Sequence, residues 1–91
     1  MKIKITKTFE KIIKKVHRNQ IKLVENAIDK IANDPEIGEL KKGDLAGIRV
    51  YKFYLHNQLI LLAYYYNNGN EITLLSLGTH QNFYKNLKKK I

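Results

Sequence analysis

The chain has 91 residues, 44% of them hydrophobic, no cysteine, and 17 Lys and Arg against 8 Asp and Glu, a formal charge of +9 at pH 7. That length fits one domain spanning residues 1–91, and the apolar fraction is enough for a compact core, which excludes general disorder. Missing cysteine excludes disulfides, thiolate metal sites and cysteine nucleophiles together. The longest apolar run, Leu59 to Tyr66, is too short to span a bilayer. The N-terminus, Met1-Lys-Ile-Lys-Ile, lacks the apolar stretch of a signal peptide, so a soluble, cytoplasmic protein with no membrane association is expected. The positive surplus draws polyanions, whether RNA, DNA, an anionic membrane surface or an acidic protein, unless it only reflects a surface built from lysine.

In chain order, Lys2 to Thr6 alternates with Ile3 and Ile5 on one face and reads as a short strand. Thr8 is placed to cap a helix whose apolar residues Phe9, Ile12, Ile13 and Val16 recur at helical spacing. His17-Arg18-Asn19 interrupts that pattern, and Asn19 is placed to cap a second helix with the stripe Ile21, Val24, Ile28 and Ile31. Asn33-Asp34-Pro35 ends it, because proline disfavours helical geometry at the residue before it. So short a link predicts a helical hairpin. Residues 34–47, with the sole proline and Gly38, Gly43 and Gly47, read as loop. Three β-rich runs follow, Ile48 to Leu55, Leu59 to Tyr66 and Ile72 to Leu77, separated by turn-like segments, and predict an antiparallel meander. The middle run does not alternate, which predicts a central strand covered on both faces. Asn82 to Lys90 reads as a short closing helix. The expected class is therefore α+β: one antiparallel-type sheet covered by a helical hairpin, in the order strand, helix, helix, three strands, short helix.

The chain has no phosphate-binding glycine loop, zinc spacing, nucleophile elbow or paired carboxylates, and no metal or cofactor is expected. One cluster carries possible chemistry. Gly78-Thr79-His80-Gln81-Asn82-Phe83-Tyr84 joins the last strand to the last helix, and His80 and Tyr84, four apart, share a face if the helix starts near Gln81. Histidine exchanges protons near neutrality, and a neighbouring tyrosine can donate a hydrogen bond or stack on a base. RNA cleavage needs such a base and acid, with cations for the phosphorane charge. On spacing alone the plainer reading is preferred, in which His80 caps the helix and Tyr84 packs on the sheet. Arg49 and Lys52, three apart on a strand, face opposite sides unless a bulge intervenes, so they cannot both line one flat site. Tyr64-Tyr65-Tyr66 reads as core and sheet surface in preference to a stacking platform. The basic positions Lys11, Lys14, Lys15, Arg18 and Lys22 on the helices, and Lys41 and Lys42 in the loop, can contact phosphates, although such runs are usually solvated faces.

Taken together, the element order resembles the RelE/ParE toxin superfamily over essentially the whole chain. Leu45-Ala-Gly-Ile-Arg-Val-Tyr-Lys-Phe53 resembles the turn from glycine loop into strand, and Leu77-Gly-Thr-His-Gln-Asn-Phe-Tyr84 resembles the strand-to-helix end, with a likeness to the YafQ branch. The resemblance implies the toxin of a bacterial type II toxin–antitoxin pair. It implies ribosome-dependent cleavage of mRNA by the RNA's own 2′-hydroxyl, with His80 as proton-transfer residue and Tyr84 as its partner. Lys52 would support the transition state, and Arg49 is carried over beside it. Leu61 stands where many nuclease members place an arginine, and His80 stands where they often place another. The implied partners are an acidic antitoxin, mRNA and the ribosome, with the toxin alone monomeric and in a higher-order complex with its antitoxin. Two other readings stay open: a ParE-type inhibitor of DNA gyrase without nuclease activity, and a plain nucleic-acid-binding module.

Overall fold

A computed structural model describes residues 2–67 and 70–79. Strand β1 (Lys2–Ile5) leads into helix α1 (Lys7–Ile13), helix α2 (Arg18–Asn33) and a two-residue strand β2 (Glu39–Leu40). A 3-10 turn (Gly43–Leu45) then leads into β3 (Ile48–Leu55), β4 (Gln58–Asn67) and β5 (Glu71–Thr79). The five strands form one sheet in the order β1-β5-β4-β3-β2. The meander β3–β4–β5 is antiparallel throughout, as the turn spacing predicts, whereas β1 joins β5 in parallel. The two helices supply the crossover that a parallel pairing needs. The expected closing helix at Asn82–Lys90 lies outside the described residues.

Alternation sorts the strands into two layers. Tyr51, Phe53 and Leu55 of β3, Ile60, Leu62 and Tyr64 of β4, and Ile72, Leu74 and Leu77 of β5 pack with Phe9, Val24 and Ile31 from the helices. Ile48, Val50, Leu61, Ala63 and Leu75 point to the other side, where Leu45 of the 3-10 turn covers part of them. Strand β4 is thus buried on both faces, which is why its sequence is apolar without alternation. The register shifts between Ala63 and Tyr64, whose partners on β5 are Ser76 and Leu74. Leu75 is the extra residue of this bulge, and it turns inward with the second layer.

Both helix starts differ from the sequence expectation by two residues. Thr6, not Thr8, caps α1: its Oγ1 accepts from Phe9 N–H at 3.2 Å and donates to the carbonyl of Leu74 at 3.0 Å. Thr6 wins because it leaves β1 beside β5, so one hydroxyl serves both the helix end and the bulged strand. At α2 the cap is His17, whose Nδ1 lies 3.3 Å from Asn19 N and 2.7 Å from Asn19 Oδ1. His17, which in the sequence only marks the break between the two helices, therefore closes a helix end.

Candidate functional site

The segment after α2 is fixed by two side chains from the sheet. Tyr64 is fully buried, its hydroxyl donating to the carbonyl of Pro35 at 2.7 Å and accepting from Gly38 N–H at 2.9 Å. Burial pushes the phenol above its ordinary value of 10.0, outweighing the opposing effects of the Gly38 N–H and the Arg49 cation. Arg49, next to Tyr64 across the ladder, donates through Nη1 to the carbonyls of Gly38 at 2.9 Å and Glu36 at 3.2 Å. A Cβ on Gly38 would come within 2.7 Å of the Tyr64 hydroxyl and 2.8 Å of its ring, so only glycine fits there. These contacts form a latch that holds residues 35–38 over the end of β4.

This geometry separates the two strand cations. Arg49 pairs with Tyr64 on the helix side, while Lys52 pairs with Leu61 on the opposite side, and β3 runs through both without a register shift. The parity reasoning holds, and the structure does not bring Arg49 and Lys52 into one site. Arg49 has a structural task in the latch. Lys52 is exposed at the margin of that opposite layer.

One row across that face runs Lys52, Leu61, Gly78. Two strand spacings of about 4.8 Å place the Lys52 and Gly78 backbones roughly 10 Å apart. Strand β5 ends at Thr79, one residue further on, and His80 follows it directly in the sequence. This side of the sheet thus carries a lysine across from the strand end that precedes His80. His80 and Tyr84 themselves lie outside the described residues. Leu61 is fully buried in the floor of this face, so the cation often expected at its position is replaced by packing.

The other basic positions are dispersed. Lys11, Lys14, Lys15, Arg18 and Lys22 are exposed on the helical layer, across the sheet from Lys52, and Lys14 pairs with Glu10 at 3.2 Å. Lys41 pairs with Glu39 at 3.2 Å, and Lys42 is exposed where the 3-10 turn begins. No single flat surface gathers all of these with Lys52. Of the three successive tyrosines, Tyr64 is core, Tyr66 packs against the helix-side core and Tyr65 is exposed. Tyr54, which the sequence did not single out, is the most exposed of the large hydrophobic side chains among the described residues, at 64%. Its signal was available, since it stands two residues after Lys52 on the same face of β3.

A family model described as the ParE-like toxin of the type II bacterial toxin-antitoxin system matches residues 3–88. No curated protein matches the chain significantly. Among solved structures, the free-state Escherichia coli toxin RelE, as a double arginine-to-alanine mutant, is similar with a TM-score of 0.74 at 14% identity, covering 99% of this chain and 96% of that one. The toxin–antitoxin complex RelBE2 from Mycobacterium tuberculosis gives a TM-score of 0.73 at 17% identity, covering 87% and 96%. The intact E. coli RelBE complex gives 0.69 at 15% identity, covering 88% and 96%. At these identities the likeness establishes a RelE-like fold.

Proposed function

Since the chain belongs to the ParE-like toxins of bacterial type II toxin–antitoxin systems, we propose that it is a ribosome-dependent mRNA endoribonuclease acting in the cytoplasm. The observation that supports this reading is the row Lys52–Leu61–Gly78, which sets an exposed ammonium across from the strand end leading to His80. In the reaction, the 2′-oxygen of a nucleotide loses its proton to His80 and attacks the adjacent phosphorus. The bond from phosphorus to the 5′-oxygen of the next nucleotide breaks, and that oxygen takes up a proton. The products are a 2′,3′-cyclic phosphate and a 5′-hydroxyl. Lys52 offsets the charge that builds on the non-bridging oxygens, and Tyr84 orients His80 or stacks on a base. The ribosome contributes by holding the message in an extended, cleavable geometry. An acidic antitoxin keeps the basic toxin silent by covering it.

The test is a reconstituted one: ribosomes programmed with a short message, plus the purified chain. Cleavage that ends in a 2′,3′-cyclic phosphate, and that falls on the order of 100-fold in Lys52→Ala, supports the assignment. Two observations favour a second reading, a gyrase inhibitor without nuclease activity: the matching family model is ParE-like, and Leu61 leaves the Lys52 side of the sheet with fewer cations. A supercoiling assay with purified gyrase separates the two, because only the inhibitor acts in the absence of ribosomes.

A further inference from the structure

At one end of the sheet a cavity of about 750 Å³ opens between the first turn of α2 and the β3–β4 hairpin. Register puts several of its side chains on the helix side. Leu55 stands opposite Gln58 where the hairpin closes, and Thr79, the last residue of β5, stands opposite Ile60, the next helix-side position of β4. Gln20 comes from the helical layer. It lies four residues before Val24 and so continues the stripe Val24, Ala27 and Ile31 that α2 buries. A polar amide thus occupies the position where that stripe reaches the end of the sheet. His56 and Asn57, the turn residues, close the cavity on the hairpin side.

Three features mark a site in preference to a gap in the packing. The volume falls in the range of small-molecule sites, about 300–1,000 Å³. Gln20, His56, Asn57, Gln58 and Thr79 all bring polar groups to the cavity, yet none of these side chains makes a hydrogen bond to another described residue. Gln20 and Thr79 are half-buried, so bulk water reaches their polar atoms only in part. His56 holds a φ of 56°, a left-handed conformation that glycine adopts at lower cost, and such residues gather where a side chain is used.

The lining also narrows the ligand. The chain carries 17 Lys and Arg, yet no charged residue lines this cavity among the described residues. An ion finds no countercharge there, whereas a neutral, flat group with donor and acceptor edges is matched. In base recognition Arg and Lys pair with guanine, Asp and Glu accept from cytosine, and Asn and Gln pair with adenine through one donor and one acceptor. Three amides without a charge therefore select adenine. The His56 imidazole offers a stacking face, and Leu55 and Leu59 offer apolar contact.

We propose that this cavity receives an adenine base of the RNA substrate, so that Gln20, His56, Asn57 and Gln58 determine where the message is cut. That the ligand is RNA rests on the ribonuclease reading. Thr79 lines the cavity and His80 follows it in the sequence, so the base enters beside the strand end that leads to the proton-transfer residue. The cavity lies on the helix side and Lys52 on the other, so the bound strand crosses the end of the sheet, base on one side and phosphate on the other.

The test is an NMR titration of the ¹⁵N-labelled chain with adenosine, guanosine, cytidine and uridine, without ribosomes. Adenosine shifts the side-chain amide signals of Gln20, Asn57 and Gln58, and binds on the order of tenfold more tightly than the other three nucleosides. Gln20→Leu extends the apolar stripe of α2, so it keeps the fold and removes the preference for adenosine. His56→Gly suits the positive φ, so it leaves the melting temperature nearly unchanged while weakening adenosine on the order of tenfold. A purely structural histidine would leave adenosine binding as it was. The selectivity of the unaltered chain carries the test if either variant fails to fold. No amide shift at millimolar adenosine, equal binding of all four nucleosides, or shifts confined to the Lys52 side of the sheet overturns the proposal. No RNA is cut in the titration, so the cavity and the ribonuclease reading fail separately.

Discussion

Replacing Tyr64 with phenylalanine keeps the ring and deletes one oxygen that makes two hydrogen bonds, to Pro35 C=O at 2.7 Å and from Gly38 N–H at 2.9 Å. Each neutral bond contributes about 1 kcal/mol net, and a buried partner left unsatisfied adds its own desolvation cost, which bounds the loss at about 1–3 kcal/mol. Gly38 is buried and Pro35 is half-exposed, so water can replace the hydroxyl at the carbonyl more readily than at the N–H. That difference places the expected loss near 2 kcal/mol. For a domain of this size, 1 kcal/mol moves the midpoint by about 4–8 °C, so the variant melts roughly 8–16 °C lower. Urea denaturation followed by circular dichroism gives the free energy directly, with the slope unchanged because the exposed surface is unchanged. A loss under about 0.5 kcal/mol would refute the latch as a source of stability, since it would place the net contribution of both bonds within surface-mutation scatter.

Four further outcomes follow from the same contacts. Gly38→Ala drives a Cβ into the Tyr64 hydroxyl and ring and costs about 1–3 kcal/mol, less in the Tyr64→Phe background because the 2.7 Å contact is gone, as a double-mutant cycle in urea will show. Because the folded Tyr64 phenol lies above its ordinary value of 10.0, its contribution is complete below about pH 10 and declines as pH rises from there through the folded value. Tyr64→Phe should therefore lose stability less steeply than wild type between pH 10 and pH 11, measured by urea midpoints. Thr6→Ala removes the α1 cap together with the bond to Leu74 and costs about 1–2 kcal/mol by the same method. Lys52→Ala and Arg49→Ala should split: the former changes stability by less than about 0.5 kcal/mol while lowering cleavage, and the latter lowers the melting temperature first.

The sheet was legible because its signals are local and periodic. The runs at Ile48 to Leu55 and Leu59 to Tyr66 declare strands through β-rich content, and the short turn between them leaves only antiparallel pairing. The parity of Arg49 and Lys52 could be read for the same reason, and it separated a structural cation from an exposed one. What escaped depends on partners distant in sequence. Thr6 outcompetes Thr8 as a cap only because β5 lies beside it, 68 residues later. The parallel placement of β1 depends on the long connection through both helices and leaves no trace in five residues of alternation. Strand β2 has no periodicity at two residues, and its existence is decided by the Lys41–Ile48 bond. The latch explains why the loop contains Gly38, since the tyrosine that crowds it is 26 positions away. Within the site, Lys52 and Tyr54 could be read from alternation.

The central claim is cleavage of mRNA by chemistry centred on His80, and induction of wild type and His80→Ala in bacteria, with primer extension on cellular transcripts, tests it most directly. New 5′ ends are expected at codon-phased positions with the wild-type chain and none with the variant. Growth arrest with intact transcripts and induction of the DNA-damage response would contradict it and favour gyrase as the target.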